Sequence, residues 1–453
     1  MANFRARDRS LFPGLTLVLV GILILLHNYR GLDIGHLVSH WWPLLFILWG
    51  GVKLYERAVA SRSGQPGPAP ISAGEVFLVV GLFCLLGIVV AVDYGKQHIP
   101  GMFDESGIGN KFDYDLEGPS PVTVPPDTRV TIFNPRGDIS IHPSDDSAIR
   151  VAGRKYVKTW SESDAEHIAS AISVEVVKNG EGYEIRPVNP SGSDSRISVN
   201  MDLAIPKKTA LTIRGQRGDV SVSGMALPLA VETTNGNIDV RDNGGDVTVD
   251  TQRGKVGVVD TKGNVKISGH GGEINVSSAS GSLTIDGEFY GPIRVDKIAK
   301  GVRFLSKRTD LTLTQLTGHL ETGSGNLEIA DAPGNLTLRT KSYDVLIENA
   351  AGKVNVDNRD GNVEVRFSAP PKEDMQITDS SASITLSLPE SSNFEIVADC
   401  HSGDIDSEFS ADSLKKTSTE SGDSHLEGKY GNGRGPHITL KTSYGSISIH
   451  KTS

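Results

Sequence analysis

The chain has 453 residues, a formal net charge of −10, 50 glycines and only 6% aromatic residues. An acidic balance of this size argues against a general nucleic-acid binder, so no nucleic acid is expected among its partners. Its two cysteines, Cys84 in an apolar segment and Cys400 far downstream, leave room for neither a disulfide framework nor a cysteine-based zinc site.

Three apolar segments open the chain. Leu11–Leu26 is almost uninterrupted, Leu37–Leu54 carries Trp41, Trp42, Pro43 and Trp49, and Val76–Val92 is apolar throughout. With their flanks they fall in the length range of transmembrane helices. A cleaved signal peptide is the competing reading of the first segment. Its basic start (Arg5, Arg7, Arg9) fits, but His27-Asn28-Tyr29-Arg30 follows it where small cleavage-site residues belong. Arg5, Arg7 and Arg9 precede the first span, and Lys53, Arg57 and Arg62 follow the second. The positive-inside rule therefore puts the N-terminus in the cytoplasm and everything after about Asp93 outside it. On this reading 1–56 is a two-helix membrane region, 57–95 a cytoplasmic loop and third transmembrane helix, and 96–126 a Gly/Pro-rich tether. The lipid bilayer is the first partner expected.

Residues 127–210 read as a capping β region with one short helix. Val130–Ile141 suggests two short strands around Asn134-Pro135-Arg136-Gly137-Asp138. Ser163-Asp164-Ala165-Glu166 fits the capping-box pattern and predicts a helix near 163–172. Ile172–Val177 and Tyr183–Val188 then suggest a hairpin around Asn179-Gly180, and Val199–Ile205 leads onward.

From 211 to 367 an apolar pair, φ-x-φ, recurs every nine residues, as in Leu211/Ile213, Val220/Val222, Leu229/Val231, Ile238/Val240 and Val247/Val249. Two apolar residues around one polar residue is strand periodicity, and a glycine two positions earlier (Gly218, Gly236, Gly245, Gly254) supplies a sharp corner. Units this short cannot bury an apolar face alone and must stack. A meander of hairpins is the alternative, but short strands on a rigid step favour a parallel β-solenoid. Two strands per coil would repeat every eighteen residues and three every twenty-seven. Thr233 and Thr251, like Thr322 and Thr340, stand eighteen apart and favour two. The beat slips at three places: one extra residue before Ile293, a step two residues short before Leu327, and a break at Pro370-Pro371. Residues 368–453 read as an irregular C-terminal solenoid and cap, with the polar stretch Asp404–Pro436 as an excursion over the side of the rod. The fold class expected is thus an all-β extracytoplasmic parallel solenoid preceded by three transmembrane α-helices.

Two resemblances follow. Arg9–Glu56, through Pro13-Gly14-Leu15, Gly21-Ile22-Leu23-Ile24-Leu25-Leu26, Trp42-Pro43-Leu44-Leu45 and Gly50-Gly51, resembles the transmembrane region of LiaI- and LiaF-like bacterial envelope proteins. From about Val122 onward, Gly137-Asp138-Ile139, Gly218-Asp219-Val220, Gly236-Asn237-Ile238 and Gly403-Asp404-Ile405 carry the Gly-Asp/Asn-φ-x-φ hallmark. That stretch resembles the bacterial adhesin-like β-solenoid domain of unknown function, likened to an autotransporter adhesin head. The resemblance implies a multi-pass protein of the bacterial cytoplasmic (inner) membrane with no established activity. LiaF-like proteins restrain an envelope-stress sensor kinase, which would be the signalling alternative; the third span and the long repeat region depart from that family.

No Gly-x-Ser-x-Gly elbow, His-Glu-x-x-His, Walker loop or Gly-x-Gly-x-x-Gly fingerprint is present. Gly244-Gly245-Asp246 and Gly271-Gly272-Glu273 lack the spaced Gly and Asp of calcium-binding nonapeptides. No catalytic residue, cofactor or metal is therefore expected. One stretch is unusually basic: Arg294, Lys297, Lys300, Arg303, Lys307 and Arg308. It could meet an anionic glycan or headgroup, although two strands per coil would turn Arg294 and Arg303 to opposite faces, and a solvated surface is the simpler reading. The function expected is non-catalytic display for binding, adhesion or scaffolding at the envelope, with an envelope protein or surface glycan as partner. Regulation of a sensor kinase or anti-sigma partner is the alternative, and a glycan-cleaving enzyme the third.

Overall fold

The computed structural model describes residues 50, 51, 54, 55, 58, 110–189, 195–432 and 434–452. The chain forms two units, Met1–Ile108 and Gly109–Ser453. In the first, Gly50, Gly51, Leu54, Tyr55 and Ala58 are helical. The rest of the three expected spans lies outside the described residues. Among the described residues no helix is long and apolar enough to cross a membrane.

Among the described residues the second unit is all-β apart from one helix and is dominated by parallel pairing. Two sheets face each other across a narrow aliphatic core. The chain passes from one sheet to the other at every corner, so two strands make a coil. In sheet two, Leu229 pairs with Val247 and Val247 with Val265; in sheet one, Ile238 pairs with Val256 and Val256 with Ile274. Each step is eighteen residues, which settles the choice between two and three strands per coil. Val220, Val222, Leu229, Val231, Ile238 and Val240 are each 2% exposed or less. At about 1.5–3 kcal/mol per buried aliphatic side chain, stacking is what holds the rod together.

The two edges of the rod differ. Corners from sheet two to sheet one form a plain edge. There Gly218 and Gly236 hold φ of 136° and 151°. A Cβ on Gly218 would fall on the carbonyl oxygen of Gly137, and one on Gly236 on that of Gly218, so corner glycine stacks directly on corner glycine. Corners from sheet one to sheet two form a bulged edge. Before six of them a non-glycine residue turns left-handed: Asp242, Asp260, Ser278, Lys297, Asp331 and Asn349, all with φ of 52–58°. That twist sends the next side chain inward, burying Asn243, Thr261, Ala279, Ile298, Ala332 and Ala350 as a third inward residue per strand. The nine-residue pairs alone did not register it.

The parallel solenoid expected from 211 to 367 needs one correction. Thr309–Leu313 pairs antiparallel with both Gly301–Leu305 and Leu336–Thr340. Leu316–Thr322 pairs antiparallel with both Ile293–Ile298 and Asn326–Ala330. One whole coil, residues 309–322, therefore runs backwards between forward neighbours. Hairpins at 306–308 and 323–325, both on the plain edge, replace two corners. This is the physical origin of the short step before Leu327. Thr322 keeps the fit by accepting the Ile293 N–H on its Oγ1 at 3.2 Å, where a backbone carbonyl would otherwise serve.

Both ends are capped. At the start, Asn110–Asp115 and Val122–Thr123, inside the stretch expected as a tether, pair antiparallel with Ala148–Thr159. The expected hairpin forms as Ser173–Asn179 with Gly182–Val188. The helix runs Glu162–Ser170 with Ser161 as its N-cap, and Ser161 makes no side-chain capping bond. The capping box read at Ser163 is thus displaced by two residues, because the chain leaving Thr159 enters the helix earlier. At the far end, 404–436 is not a side excursion. Ile405–Ser407 joins sheet one, while Lys415–Ser418 and Ser424–Tyr430 extend sheet two beyond Phe394–Cys400. His437–Thr442 slots between Met375–Asp379 and Phe394–Cys400, so the last coil in sequence is interior in space. Phe394, Phe409 and Tyr430, with ring centroids 4.8–5.5 Å apart, plug the end of the core.

Candidate functional site

The Gly-Asp/Asn-φ motif has a structural task at the plain edge. The Asp219 N–H donates to Oδ1 of Asp138 at 2.9 Å, the Asn237 N–H to Oδ1 of Asp219 at 2.7 Å, and the Lys255 N–H to Oδ1 of Asn237 at 3.0 Å. The bulged edge repeats it, with Asn264 donating to Asp246 at 2.7 Å and Ser282 to Asn264 at 3.0 Å. Each side-chain oxygen thus satisfies a corner amide one coil later, where the backbone has no ladder partner. These carboxylates are part of the frame.

The six basic residues picked out from the linear sequence are distributed around the rod. Arg294 lies on the outer face of sheet one and bonds Glu273 and Glu321 at 2.7 and 2.9 Å. Arg303 lies on sheet two, 2.8 Å from Asp310. Lys297 and Lys300 sit at the bulged edge, and Lys307 and Arg308 form the tip of the first hairpin on the plain edge. A run contiguous in sequence winds once around a coil, so its members do not share a face. Counting by coil picks out a different set. Arg217, Arg253, Lys307, Arg308, Lys341 and Arg359 all project from plain-edge turns. All six are exposed.

Titratable groups elsewhere have structural explanations. Burial pushes the Asp379 carboxyl up, against the pull of the Ala382 and Ser381 N–H groups, 2.6 and 2.8 Å from its Oδ1. Its Oδ2 is buried without a hydrogen-bond partner among the described residues. Arg150 holds Asp146 well below the usual carboxylate range at an exposed turn. On the C-terminal cap His425 donates or accepts at 2.6 Å with Asp399 and 3.5 Å with Glu427, and the Asp399 carboxylate leads in raising its pKa. Similar exposed pairs are His437 with Glu395 and His450 with Glu408, at 3.3 and 3.2 Å. Among the described residues no three His, Cys, Asp or Glu side chains converge as a metal site would require. Two hollows of about 500 and 570 Å³ lie in the capping region; Phe133, Ile172 and Val199 line the first, Thr131, Tyr183 and Arg214 the second. Neither wall pairs a nucleophile with a base.

Residues 271–450 match the Toastrack DUF4097 family, and residues 12–103 match the LiaF transmembrane domain. No curated protein matches the chain. Two solved structures are similar. A candidate cell adhesion protein from Clostridium sporogenes shares 10% identity over 76% of this chain and 100% of its own, with a TM-score of 0.15. A candidate adhesin from Bacteroides fragilis shares 10% identity over 75% of this chain and 96% of its own, with a TM-score of 0.19. Likeness at that level bears on neither ligand nor activity. The chain carries a LiaF-type transmembrane domain at its N-terminus, which makes it a membrane-anchored bacterial protein, and a Toastrack DUF4097 domain in its β-solenoid.

Proposed function

We propose that this protein is a non-catalytic display module: a β-solenoid anchored in the bacterial cytoplasmic membrane by three helices, held outside the cytoplasm, that binds or scaffolds an envelope component. The observation that carries this reading is the division of labour within each coil. Inward residues build the core, corner Asp and Asn residues brace the corner amides, and the remaining outward residues form long, regular, solvent-facing edges joined to a membrane domain. An alkaline-phosphatase fusion after Lys96 should be active, and an inactive one beside an active cytoplasmic reporter at the same site would reverse the orientation. Crosslinking in native membranes should capture a cell-wall or envelope component on the solenoid.

The LiaF-type match over residues 12–103 supports a second reading, restraint of an envelope-stress sensor kinase. Deletion followed by transcriptome measurement tests it; an unchanged stress regulon, with and without a cell-wall antibiotic, would remove it. Cleavage of a surface glycan is a third and weaker reading. Incubating the purified protein with cell-wall glycans should give no turnover.

A further inference from the structure

The plain edge carries a feature that no core, corner or ladder role requires. Arg217, Arg253, Lys307, Arg308, Lys341 and Arg359 recur along it over nine neighbouring strands of sheet two. At ~4.8 Å per strand that is roughly 40 Å. None of the six side chains makes an ion pair among the described residues, although the protein as a whole is acidic.

Carboxylates are present on this edge too, but each has a donor within the fold. Asp219 takes the Asn237 N–H, and Asp344 takes the Asn362 N–H at 2.7 Å. Glu288 takes the Lys307 N–H at 2.6 Å, Asp360 the Ser381 hydroxyl at 2.7 Å, and Glu273 is held by Lys255 and Arg294. The acids each hold a hydrogen bond within the fold, and the six cations outnumber them along the edge. Unpaired cations repeating in one line give a field that a point ligand cannot exploit and a charged chain can. The bulged edge offers the contrast. There Lys262, Lys297 and Lys300 are matched by Asp242, Asp246, Asp260 and Asp331, whereas on the plain edge the six cations outnumber Asp219, Glu288, Asp344 and Asp360.

Tyr290 lies in the middle of the plain edge, at the residue inserted before Ile293, and is 87% exposed. Its amide is fixed to the Gly271 carbonyl at 3.0 Å, so the ring is presented from a defined corner. An exposed ring between cations suits a sugar face carried on a charged chain.

We infer that the plain edge is the binding surface of the solenoid and that its ligand is a linear acidic glycan lying along the rod. The cations meet successive carboxylates or phosphates and Tyr290 stacks on a sugar ring. This rests on the display reading above and names the surface and ligand class for it.

The test uses the full-length protein in phosphatidylcholine nanodiscs, with polygalacturonate, inorganic polyphosphate, neutral dextran and oligothymidylate as probes. Polygalacturonate should bind and dextran should not, and binding should weaken steeply with salt. Replacing Arg253, Lys307 and Arg308 together by Gln should weaken it by about tenfold or more, while replacing Lys262, Lys297 and Lys300 by Gln, an equal loss of charge, should change it less than about twofold. All six positions are exposed, and unchanged circular dichroism would certify the fold. Tyr290→Ala should weaken polygalacturonate and leave polyphosphate unmoved. Equal losses from the two triple variants, failure of polygalacturonate to bind at low salt, or oligothymidylate binding as tightly as the glycan would each overturn the inference. Those failures would leave membrane display standing, since the reporter fusion and native crosslinking test that separately.

Discussion

At the scale of single residues, the informative side chains are those whose environment contradicts their chemistry. Asp379 is 1% exposed, with one oxygen bound to two amides and the other without a partner among the described residues. Its raised pKa means the folded state binds the proton more tightly than the unfolded state. Its contribution to stability is therefore greatest below the unfolded carboxylate pKa of about 3.9 and declines as pH rises from there to its folded value. Asp379→Asn keeps an acceptor for the Ser381 and Ala382 amides and removes the desolvated charge. It should stabilise the protein by about 1 kcal/mol at pH 7 and have little effect below pH 4. Asp379→Ala leaves two amides unpaired and should cost about 1–3 kcal/mol; urea denaturation at the two pH values checks both. His425 works with the opposite charge and the same proton preference. Its pKa is raised by Asp399 and then Glu427, so its stabilising effect is complete below about pH 6.5 and is lost as pH rises through the folded value. An NMR titration should place the His425 midpoint above that of an unstructured histidine, and Asp399→Asn should bring it down.

At the scale of elements, the reversed coil reads as an insertion into a continuous pattern. Gly325-Asn326-Leu327, with Gly325 at φ 134°, carries the same Gly-Asn-φ motif and positive glycine φ as the corner Gly236-Asn237-Ile238. Gly301–Leu305 delivers the chain to the plain edge where that corner should begin. Deleting residues 308–323 would join Lys307 to Ser324 and restore the spacing from Phe304 to Leu327 that Val231 keeps to Ile238. The shortened protein should fold, with its β circular-dichroism signature and monomeric elution retained, and Asn326–Ala330 should stack parallel on Ile293–Ile298. Loss of cooperative unfolding in that variant would mean the antiparallel coil is needed by its neighbours. Much of this level was legible beforehand: the strands, the corners and the positions of the slips follow from spacing. The reversal was not, because apolar alternation is identical in a strand read in either direction. The left-handed residues at the bulged corners also escaped, since Asp242, Asp260, Ser278 and Lys297 share a conformation but no composition.

At the scale of the whole molecule, a solenoid is a one-dimensional stack whose exposed ends invite pairing with other chains. Here the far end is closed by a threaded arrangement. His437–Thr442 lies between Met375–Asp379 and Phe394–Cys400, and Ile447–Thr452 bridges Ile384–Pro389 and Ile405–Ser407. Removing residues 437–453 takes away an interior coil and leaves the aromatic plug of Phe394, Phe409 and Tyr430 with nothing to seat on. We expect that truncation to self-associate through its open edges, visible by light scattering, while residues 211–366 keep their amide protection in hydrogen exchange. A monomeric, fully protected truncation would show that the cap closes without its threaded coil.

The sequence by itself determined the coil: alternation, glycine corners and an eighteen-residue step are local consequences of side-chain size and backbone freedom, repeated until they are unmistakable. It also marked where the repeat breaks. Only the tertiary structure decided which way the chain runs after each break, how the last strands return into the stack, and which cations share an edge. The reason is geometric. Residues such as Arg217, Arg253 and Lys341 are scattered along the chain and become neighbours through winding, whereas the contiguous run Arg294–Arg308 is dispersed by the same winding. Proximity along the edge of a solenoid is set by the pitch of the coil and not by distance in sequence.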